Sequence, residues 1–195
     1  MKKLIQNFTA IKLIVAASVL LACFAGTGLA QTEENDYKIR VDILGVPGEG
    51  VGGSIEAFQA SSGVVADLGS GTGISAGKAK LAPVVITKGI DSATAKLQTI
   101  CAGGQRLRQV QISFVRSNRV LKNGEQVFLR IVLEDVLVNS TNIRLPKSAD
   151  AKGALAAGEP EEEVAFSFSR ITWIYTLPNG GTVREAWDLR SGREM

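Results

Sequence analysis

The sequence predicts an all-β domain, mainly antiparallel, with one short α-helix laid against it. Three observations support this prediction. From residue 37 onward most segments alternate apolar and polar side chains, which is typical of strands with one buried face. A single segment, residues 90–104, shows helical spacing instead. The later chain also lacks the alternating helices that a parallel sheet requires.

The strands are predicted from their alternation. They are residues 37–43, 55–58, 83–87, 110–114, 126–139, 163–175 and 183–189. The strongest, 126–139, carries apolar side chains on both faces, so we expect it to contact two layers: the core on one side and the helix or another subunit on the other. In 163–175 the apolar parity changes, which predicts a β-bulge near Ser169 and Arg170. The segment 146–163, rich in Ala, Gly, Pro and charge, is predicted to be a long flexible hairpin loop.

The helix is predicted to follow Asp91, which can cap it, and to end at Gly103. Its apolar face would consist of Ala93, Leu97, Ile100 and Cys101. This position makes Cys101 a small apolar filler. A reactive thiol is the weaker alternative, because the chain has no histidine to activate it.

Residues 1–30 are predicted to be an export signal. Three lysines precede or enter an uncharged apolar run that ends in small residues before Gln31. A membrane-anchoring helix is the weaker alternative, because the run falls short of the roughly 18–20 residues that span a bilayer. Lipidation at Cys23 is a second processing route. The predicted organisation is therefore a signal at 1–30, a linker at 31–36 and one β-domain at 37–193, exported to the periplasm or secreted, with no membrane span after cleavage.

Charge disfavours a nucleic-acid partner. Residues 1–30 contain three basic and no acidic residues, so the remaining chain has 19 of each and a formal charge of zero. The sequence pI of 8.9 belongs to the precursor. A neutral surface favours self-association. Without Cys23, Cys101 is the only cysteine, so no internal disulfide is expected and stability must come from packing.

Two motifs suggest chemistry that the rest of the chain does not support. Gly48, Gly50 and Gly53 have dinucleotide-binding spacing, but no crossover helix follows them. Residues 73–77 fit the G-x-S-x-G nucleophile motif, but a chain without histidine cannot complete a Ser–His pair. Only a Ser75 pairing with Lys78 or Lys80 remains as an alternative. The same composition removes the usual zinc and copper sites, so no catalytic residue, metal or cofactor is predicted, and the protein is not expected to be an enzyme.

Three late aromatic residues leave a binding role open. Trp173, Tyr175 and Trp187 could form a stacking platform for a sugar or a base. Aromatic residues on the late strands of a β-domain are more often core, and we expect that here. A platform of exposed rings would instead favour an exported periplasmic or surface binding module.

With these elements placed, the chain resembles the Hcp family (haemolysin-coregulated protein) of type VI secretion systems. The strongest match is "ITKGIDSATAKLQTICAGG", residues 86–104, which is similar to the family's helix entry and places Thr87, Lys88, Asp91, Leu97 and Cys101 at motif positions. "LRIVLEDVLVNS" at 129–140 and "VREAWDLRSGR" at 183–193 support the match. The Gly-rich stretch 67–80 lies where the family has its extended glycine loop. The family's aromatic pair in the second strand is replaced here by Ser61 and Ser62.

The resemblance implies a compact β-barrel of two sheets flanked by the helix. Six copies would close into a ring, rings would stack into a tube, and the tube would carry effectors and work with spike and sheath proteins. It also implies that Gly69, Gly71, Gly73 and Gly77 lie in the loop that reaches a neighbouring ring. Tube subunits assemble in the cytoplasm, whereas the predicted signal implies periplasmic or released rings. The alternative is an exported β-barrel binding module that forms no tube.

Overall fold

The computed structural model describes residues 37–68, 76–117, 124–145 and 159–195. The predicted export signal and linker, residues 1–36, lie outside this part of the chain. Within it, the elements follow in the order β1 (Tyr37–Ile43), β2 (Ile55–Ser61), β3 (Val64–Leu68), β4 (Ala76–Leu81), β5 (Val84–Gly89), α1 (Thr94–Gly103), β6 (Arg106–Ser117), β7 (Glu125–Arg144), β8 (Glu161–Ser167), β9 (Arg170–Thr176), β10 (Thr182–Asp188) and β11 (Arg193–Glu194).

Nine of these strands form one antiparallel sheet, which closes on itself. The strand order is β11-β10-β9-β7-β6-β1-β2-β5-β8, and β8 also pairs with β7. Six strands, β7-β6-β1-β2-β5-β8, therefore form a closed barrel, and β9 to β11 continue the sheet beyond it as an extension. Strands β3 and β4 form a separate two-stranded hairpin. The predicted all-β barrel with one helix is confirmed.

Strand β7 belongs to both the barrel and the extension. Its first half pairs with β9 and its second half with β8, while β6 lies along its other edge. The change of partner occurs at Asp135, whose φ is +52°. The Asp135 carboxylate accepts hydrogen bonds from Arg106 at 2.8 Å, from Ser169 at 2.6 Å and from Arg190. The β-bulge predicted near Ser169 and Arg170 within one strand is wrong: β8 ends at Ser167 and β9 begins at Arg170, because β7 changes partner here.

The two ends of the barrel are built differently. At the helix end, α1 connects β5 to β6, which are opposite strands in the barrel, so α1 crosses that end. The buried α1 residues Ala93, Leu97 and Ile100 join the same core cluster as the strands. The backbone N–H of Ala93 donates to the Asp91 carboxylate at 2.9 Å, and Gly104, at φ +60°, ends the helix in the left-handed conformation that glycine adopts without strain.

The opposite end, the hairpin end, carries the β3–β4 hairpin and three aromatic rings. The β6–β7 register shifts between Phe114 and Val115, which pair with Leu129 and Val127 and leave Phe128 as the extra residue of a bulge. The Phe128 ring packs against Tyr37 with a centroid distance of 5.8 Å and against Phe114 at 6.4 Å. A bulge thus adds an aromatic ring to this end of the barrel.

Several segments differ from their predictions. Residues 64–68 and 76–81 are the paired strands β3 and β4, so the stretch 67–80 that the resemblance placed in the glycine loop begins and ends within strands. The run Glu161–Glu163, taken as loop, begins β8; residues 146–158 of that segment lie outside the described part. Strands β6 and β7 are also longer than predicted, because their ladders continue through mostly exposed residues past the apolar run.

The glycines at 48–53 form a turn closed by its own backbone. The N–H of Gly48 donates to Gly53 at 2.8 Å, and the N–H of Gly50 donates to Ser54 at 2.8 Å. A Cβ at Gly48 would lie 2.5 Å from the Ser54 carbonyl oxygen, so close packing requires glycine there. These N–H groups are not available to a phosphate. The connection between β1 and β2 is thus held by its own backbone hydrogen bonds.

Candidate functional site

Two residues of the predicted helix motif, Lys88 and Asp91, meet in a buried ion network at the helix end. We define the ion network as Lys88, Asp91, Thr94 and Glu162. Lys88 and Glu162 are direct cross-strand partners in β5 and β8, and both side chains are fully buried. The Lys88 ammonium lies 3.1 Å from Glu162 Oε2 and donates to Asp91 Oδ1 at 2.6 Å.

Thr94 completes the ion network from the first residue of α1. Its hydroxyl accepts hydrogen bonds from Lys88 at 2.9 Å and from the Asp91 backbone N–H at 3.2 Å, and it donates to Glu162 Oε2 at 2.9 Å. This uses the hydroxyl's donor and both acceptor positions. The network therefore joins strand β5, strand β8 and the start of α1 by directional contacts.

The ion network is structural and not catalytic. The three ammonium donors of Lys88 go to Asp91, Thr94 and the Gly89 carbonyl oxygen, the last at 2.8 Å. Lys88 and Glu162 have no exposed surface, so a substrate cannot reach them. Glu162 Oε1 is a buried oxygen without a hydrogen-bond partner, which means that the pair is not fully satisfied.

The remaining motif residues serve packing. Thr87 is buried in β5, and Leu97 lies in the core with no exposed surface. Cys101 is partly buried against the core, where we expected an apolar filler. Next to the ion network, the buried Glu161 accepts a hydrogen bond from Arg144 Nε at 2.5 Å. The motif thus fixes α1 on the barrel.

The glycine loop predicted to reach a neighbouring ring is only partly described. Gly69, Gly71 and Gly73 lie outside the described residues, and Gly77 is the second residue of β4. The hairpin that carries the loop projects from the hairpin end and exposes Val64 and Val65, consecutive residues that point to opposite faces. Both faces of the hairpin therefore present apolar surface.

The extension has an uncovered apolar face. Tyr175 and Val183 are cross-strand partners in β9 and β10, and Tyr175 is also opposite Leu129 of β7. The side chains of Leu129, Tyr175 and Val183 lie on one face of the sheet, and within the barrel this face lines the core. Tyr175 and Val183 are 41% and 47% exposed. Because β9 and β10 extend past the barrel, nothing described in this chain covers these two side chains.

The aromatic platform considered from sequence does not form. Trp173 and Trp187 pack against the core cluster, and only Tyr175 is exposed. Of the alternative hydrolase residues, Ser75 lies outside the described part and Lys80 is exposed in β4. Across the described ranges no cluster of three side chains is suited to hold a metal ion. Nor does the described chain contain a helix long and apolar enough to cross a membrane.

Comparison with known proteins decides the family. Residues 49–175 match the family model described as "Type VI secretion system effector, Hcp". The chain belongs to the Hcp family. The family is one of structural, secreted type VI secretion proteins and is not an enzyme family. No match to a curated protein was found for this sequence.

Solved Hcp structures share the fold. Hcp1 from Salmonella typhimurium is 22% identical, with a TM-score of 0.62 over 82% of this chain and 99% of that one. A structure titled "Structure of a type six secretion system protein" gives 20% identity and a TM-score of 0.67, over 82% and 100%. Hcp1 from E. coli EAEC 042 gives 21% and 0.61, over 77% and 97%. These identities support the likeness of fold alone.

Glu162 is the residue of the ion network that sequence reasoning missed. It lies in an acidic run that suggests a solvated loop. The signal was present in the parity of β8, because Val164 and Phe166 face the core and Glu162 continues the same alternation. A lysine predicted in a buried motif also requires a carboxylate partner.

Proposed function

We propose that this Hcp-family chain is a ring-forming structural subunit of a type VI secretion system, which stacks into a tube and carries secreted effectors. The observation that carries the proposal is the uncovered pair Tyr175 and Val183 on the extension. These two apolar side chains are neighbours on a sheet face that continues the buried core. Only another surface packed against them would remove them from water. A second copy of the chain supplies such a cover in a closed ring.

A ring of identical copies suits an extension better than a face-to-face dimer. The extension protrudes from one side of the barrel, so its face meets a different surface on the next copy. Such head-to-tail contacts close into rings when the rotation between copies divides a full turn. Six copies follow from the family resemblance, and the zero charge of the chain after residue 30 reduces repulsion between them.

The hairpin end supports stacking of rings. A two-stranded ribbon is marginally stable by itself, and the β3–β4 hairpin exposes valines on both faces. Contact with a neighbouring ring would bury Val64 and Val65. The family resemblance places the loop of Gly69, Gly71 and Gly73 at the same contact. Sheath and spike proteins would be the partners of the stacked tube, and effectors would occupy its interior.

The alternative, an exported binding module that forms no tube, has less support. It requires an exposed aromatic platform, and two of the three rings considered for it pack against the core. Its one remaining exposed ring, Tyr175, lies on the face that we assign to contact between copies.

The ring proposal is tested by the mass of the purified protein in solution. We expect sedimentation as a closed oligomer at micromolar concentration, and we expect Val183→Arg to shift the population to monomer, because the new charge would be buried in the contact. The control is Gln98→Arg, which adds the same charge at an exposed position of α1 and should leave the oligomer intact. A strict monomer at high micromolar concentration contradicts the proposal.

Export and the tube role are separated by a second measurement. Mass spectrometry of protein recovered from the periplasm, the medium and the cytoplasm identifies the N-terminus. A start at Gln31 confirms cleavage of the predicted signal, whereas a lipidated Cys23 confirms the other processing route. Release into the medium that depends on the type VI sheath supports the tube role, and release that is independent of the sheath contradicts it.

A further inference from the structure

Three arginines form a row across the sheet on the face away from the core. Arg40 of β1 lies opposite Ser113 of β6, and Ser113 lies opposite Arg130 of β7. Arg130 lies opposite Ile174 of β9, which in turn lies opposite Arg184 of β10. Direct cross-strand partners share a face, so all five side chains are on one side of the sheet. We call Arg40, Arg130 and Arg184 the arginine row.

The spacing within the arginine row is regular. The arginines occupy every second strand, so neighbouring members are separated by about 10 Å, twice the distance between adjacent strands. The residues between them, Ser113 and Ile174, are uncharged. Hence no carboxylate lies between the arginines within the row.

Two of the three guanidinium groups are uncommitted. Arg40 donates to Glu125 at 2.5 Å, and Glu56 is its cross-strand neighbour at the end of the row. Arg130 and Arg184 have no hydrogen-bond or ion-pair partner within the described ranges. The Nε–H groups of Arg130 and Arg40 are both buried, and neither has a hydrogen-bond acceptor within the described ranges. A buried N–H without an acceptor is costly, so an added anionic oxygen would be stabilised at Arg130.

The neighbouring row carries a single acid, at its β1 end. On the same face, one step along the strands, Asp42, Gln111, Val132, Thr172 and Ala186 are consecutive cross-strand partners. Asp42 accepts a hydrogen bond from the Gln111 side-chain amide at 3.2 Å, and the other four are uncharged. An anionic partner would therefore meet no carboxylate in this row beside Arg130 and Arg184, and would meet Asp42 only beside Arg40.

We propose that the arginine row binds an extended acidic segment of a partner protein, with carboxylates at every third residue. An extended chain in the polyproline II conformation has three residues per turn and rises about 3.1 Å per residue, so carboxylates at positions i and i+3 lie on one side about 9 Å apart, close to the spacing of the row. Two of these carboxylates pair with Arg130 and Arg184. A third competes with Glu125 for Arg40.

The charge pattern favours a peptide over a nucleic acid. A duplex carries one phosphate per about 3.4 Å of each strand, and its binding proteins neutralise many phosphates at once. The row offers two uncommitted cations about 10 Å apart, on a chain whose charge beyond residue 30 is zero. That is a good match for sparse carboxylates and a poor one for a phosphate backbone.

The test is fluorescence anisotropy of a labelled 12-residue peptide with glutamate at every third position, titrated with the purified protein. The matched control peptide has the same composition with its glutamates consecutive. We expect the spaced peptide to bind at least about threefold more tightly, and its affinity to fall as salt rises. Equal affinity for the two peptides, or displacement of the spaced peptide by duplex DNA at lower concentration, overturns the proposal.

Variants locate the site. Arg130→Gln should weaken binding of the spaced peptide by about tenfold, because it removes a charged hydrogen bond at a partly buried group. The exposed Arg184→Gln should weaken it by about threefold. Arg108→Gln removes the same charge from an exposed position of β6 on the other face, and should leave binding unchanged.

Two results contradict the site. One is an equal loss in Arg108→Gln, which indicates attraction to overall charge alone. The other is that the native protein does not bind the spaced peptide while Arg130→Gln changes the sedimenting mass. That result would show that the row is a contact between copies. Arg184→Gln keeps the test decisive even where Arg130→Gln lowers stability, because the Arg184 side chain is exposed.

Discussion

The helix end and the hairpin end of the barrel are built from different kinds of contact. At the helix end, α1 crosses the barrel and the ion network fixes it with a fully buried Lys88–Glu162 pair. The hairpin end carries three packed aromatic rings, the partly exposed Arg40–Glu125 ion pair and the β3–β4 hairpin. One end is fixed by a buried ion network, and the other carries a hairpin with exposed valines.

The difference shows which parts of the chain serve folding and which serve assembly. A buried ion pair contributes specificity of structure and is costly to break, because the remaining charge stays buried. Exposed valines contribute little to the stability of one copy. They contribute favourable free energy only when a partner covers them and removes their surface from water. We therefore expect substitutions at the helix end to change stability and substitutions at the hairpin end to change assembly.

The largest effect is expected from Lys88→Met. Methionine has a similar volume, but it leaves the Glu162 and Asp91 carboxylates at the helix end without their cation. Breaking a buried pair from one side typically costs about 3–5 kcal/mol, and we expect a loss of that size in the free energy of unfolding, measured with denaturant. The double variant Lys88→Met/Glu162→Leu should recover much of it. If the single variant is as stable as the native chain, the helix end is not held by the ion network.

A smaller effect is expected from Thr94→Val, which keeps the shape of the side chain. Glu162 then loses the hydroxyl donor, and Lys88 and the Asp91 N–H lose an acceptor. Leaving buried polar groups unpaired costs about 1–3 kcal/mol, which thermal unfolding should detect. Thr99→Val on the exposed face of α1 is the matched control and should cost less than Thr94→Val, since its hydroxyl bonds only the Ala95 carbonyl.

At the hairpin end, Glu125→Gln should cost less than about 1 kcal/mol, because the ion pairs of Glu125 with Arg40 and Lys38 are partly exposed. The hydrogen bond from Arg40, and then that from Lys38, lowers the pKa of Glu125 below its ordinary value of 4.5. A carboxyl whose pKa is lowered by folding stabilises above its unfolded pKa, and this stability is lost as the pH falls through the folded pKa.

The stability difference between the native chain and Glu125→Gln should therefore be constant near neutral pH and decrease below about pH 4.5. Thermal unfolding of both proteins across pH 3–8 measures it. A difference that persists unchanged at pH 3 would mean that it does not come from the charge of this carboxylate.

The smallest effect on stability is expected from Val65→Glu. Val65 is 64% exposed and lies directly opposite Lys80. A glutamate at this position would face a lysine across the hairpin, so stability should change by no more than about 0.5 kcal/mol. Assembly should change strongly, because a charge replaces an apolar side chain at the contact between rings. Electron microscopy should show single rings without stacks. Normal stacks in this variant would remove the hairpin from the stacking contact.

The sequence was a good guide to elements whose patterning is local. The alternation in β1, β7 and β8 identified these strands, and the Asp91 motif located α1. The parity change near Ser169 marked the right position, but it is a break between two strands and not the predicted bulge. The β3–β4 hairpin was missed because its Gly- and Ala-rich composition weakens strand propensity, although Lys78 and Lys80 alternate with Ala79 and Leu81. The β7–β8 pairing that closes the barrel is not visible in one segment alone.

Features that depend on register could not be predicted. The ion network requires Lys88 and Glu162 to be cross-strand partners although they are far apart in the chain, and the arginine row requires five strands to align in one register. A shift of one residue in any of these ladders would move an arginine to the other face. Composition gives the residues, and only the pairing of strands brings them together.

Strand β7 has a mechanical consequence. Residues 125–137 of β7 form a ladder with β6 on one edge, and on the other edge residues 129–134 pair with β9 of the extension and residues 137–144 with β8 of the barrel. Because the bonds of an antiparallel ladder are perpendicular to the strands, a pull along the axis of β7 loads many of them at once in shear. The extension should thus remain attached under forces that would peel away an edge strand bond by bond.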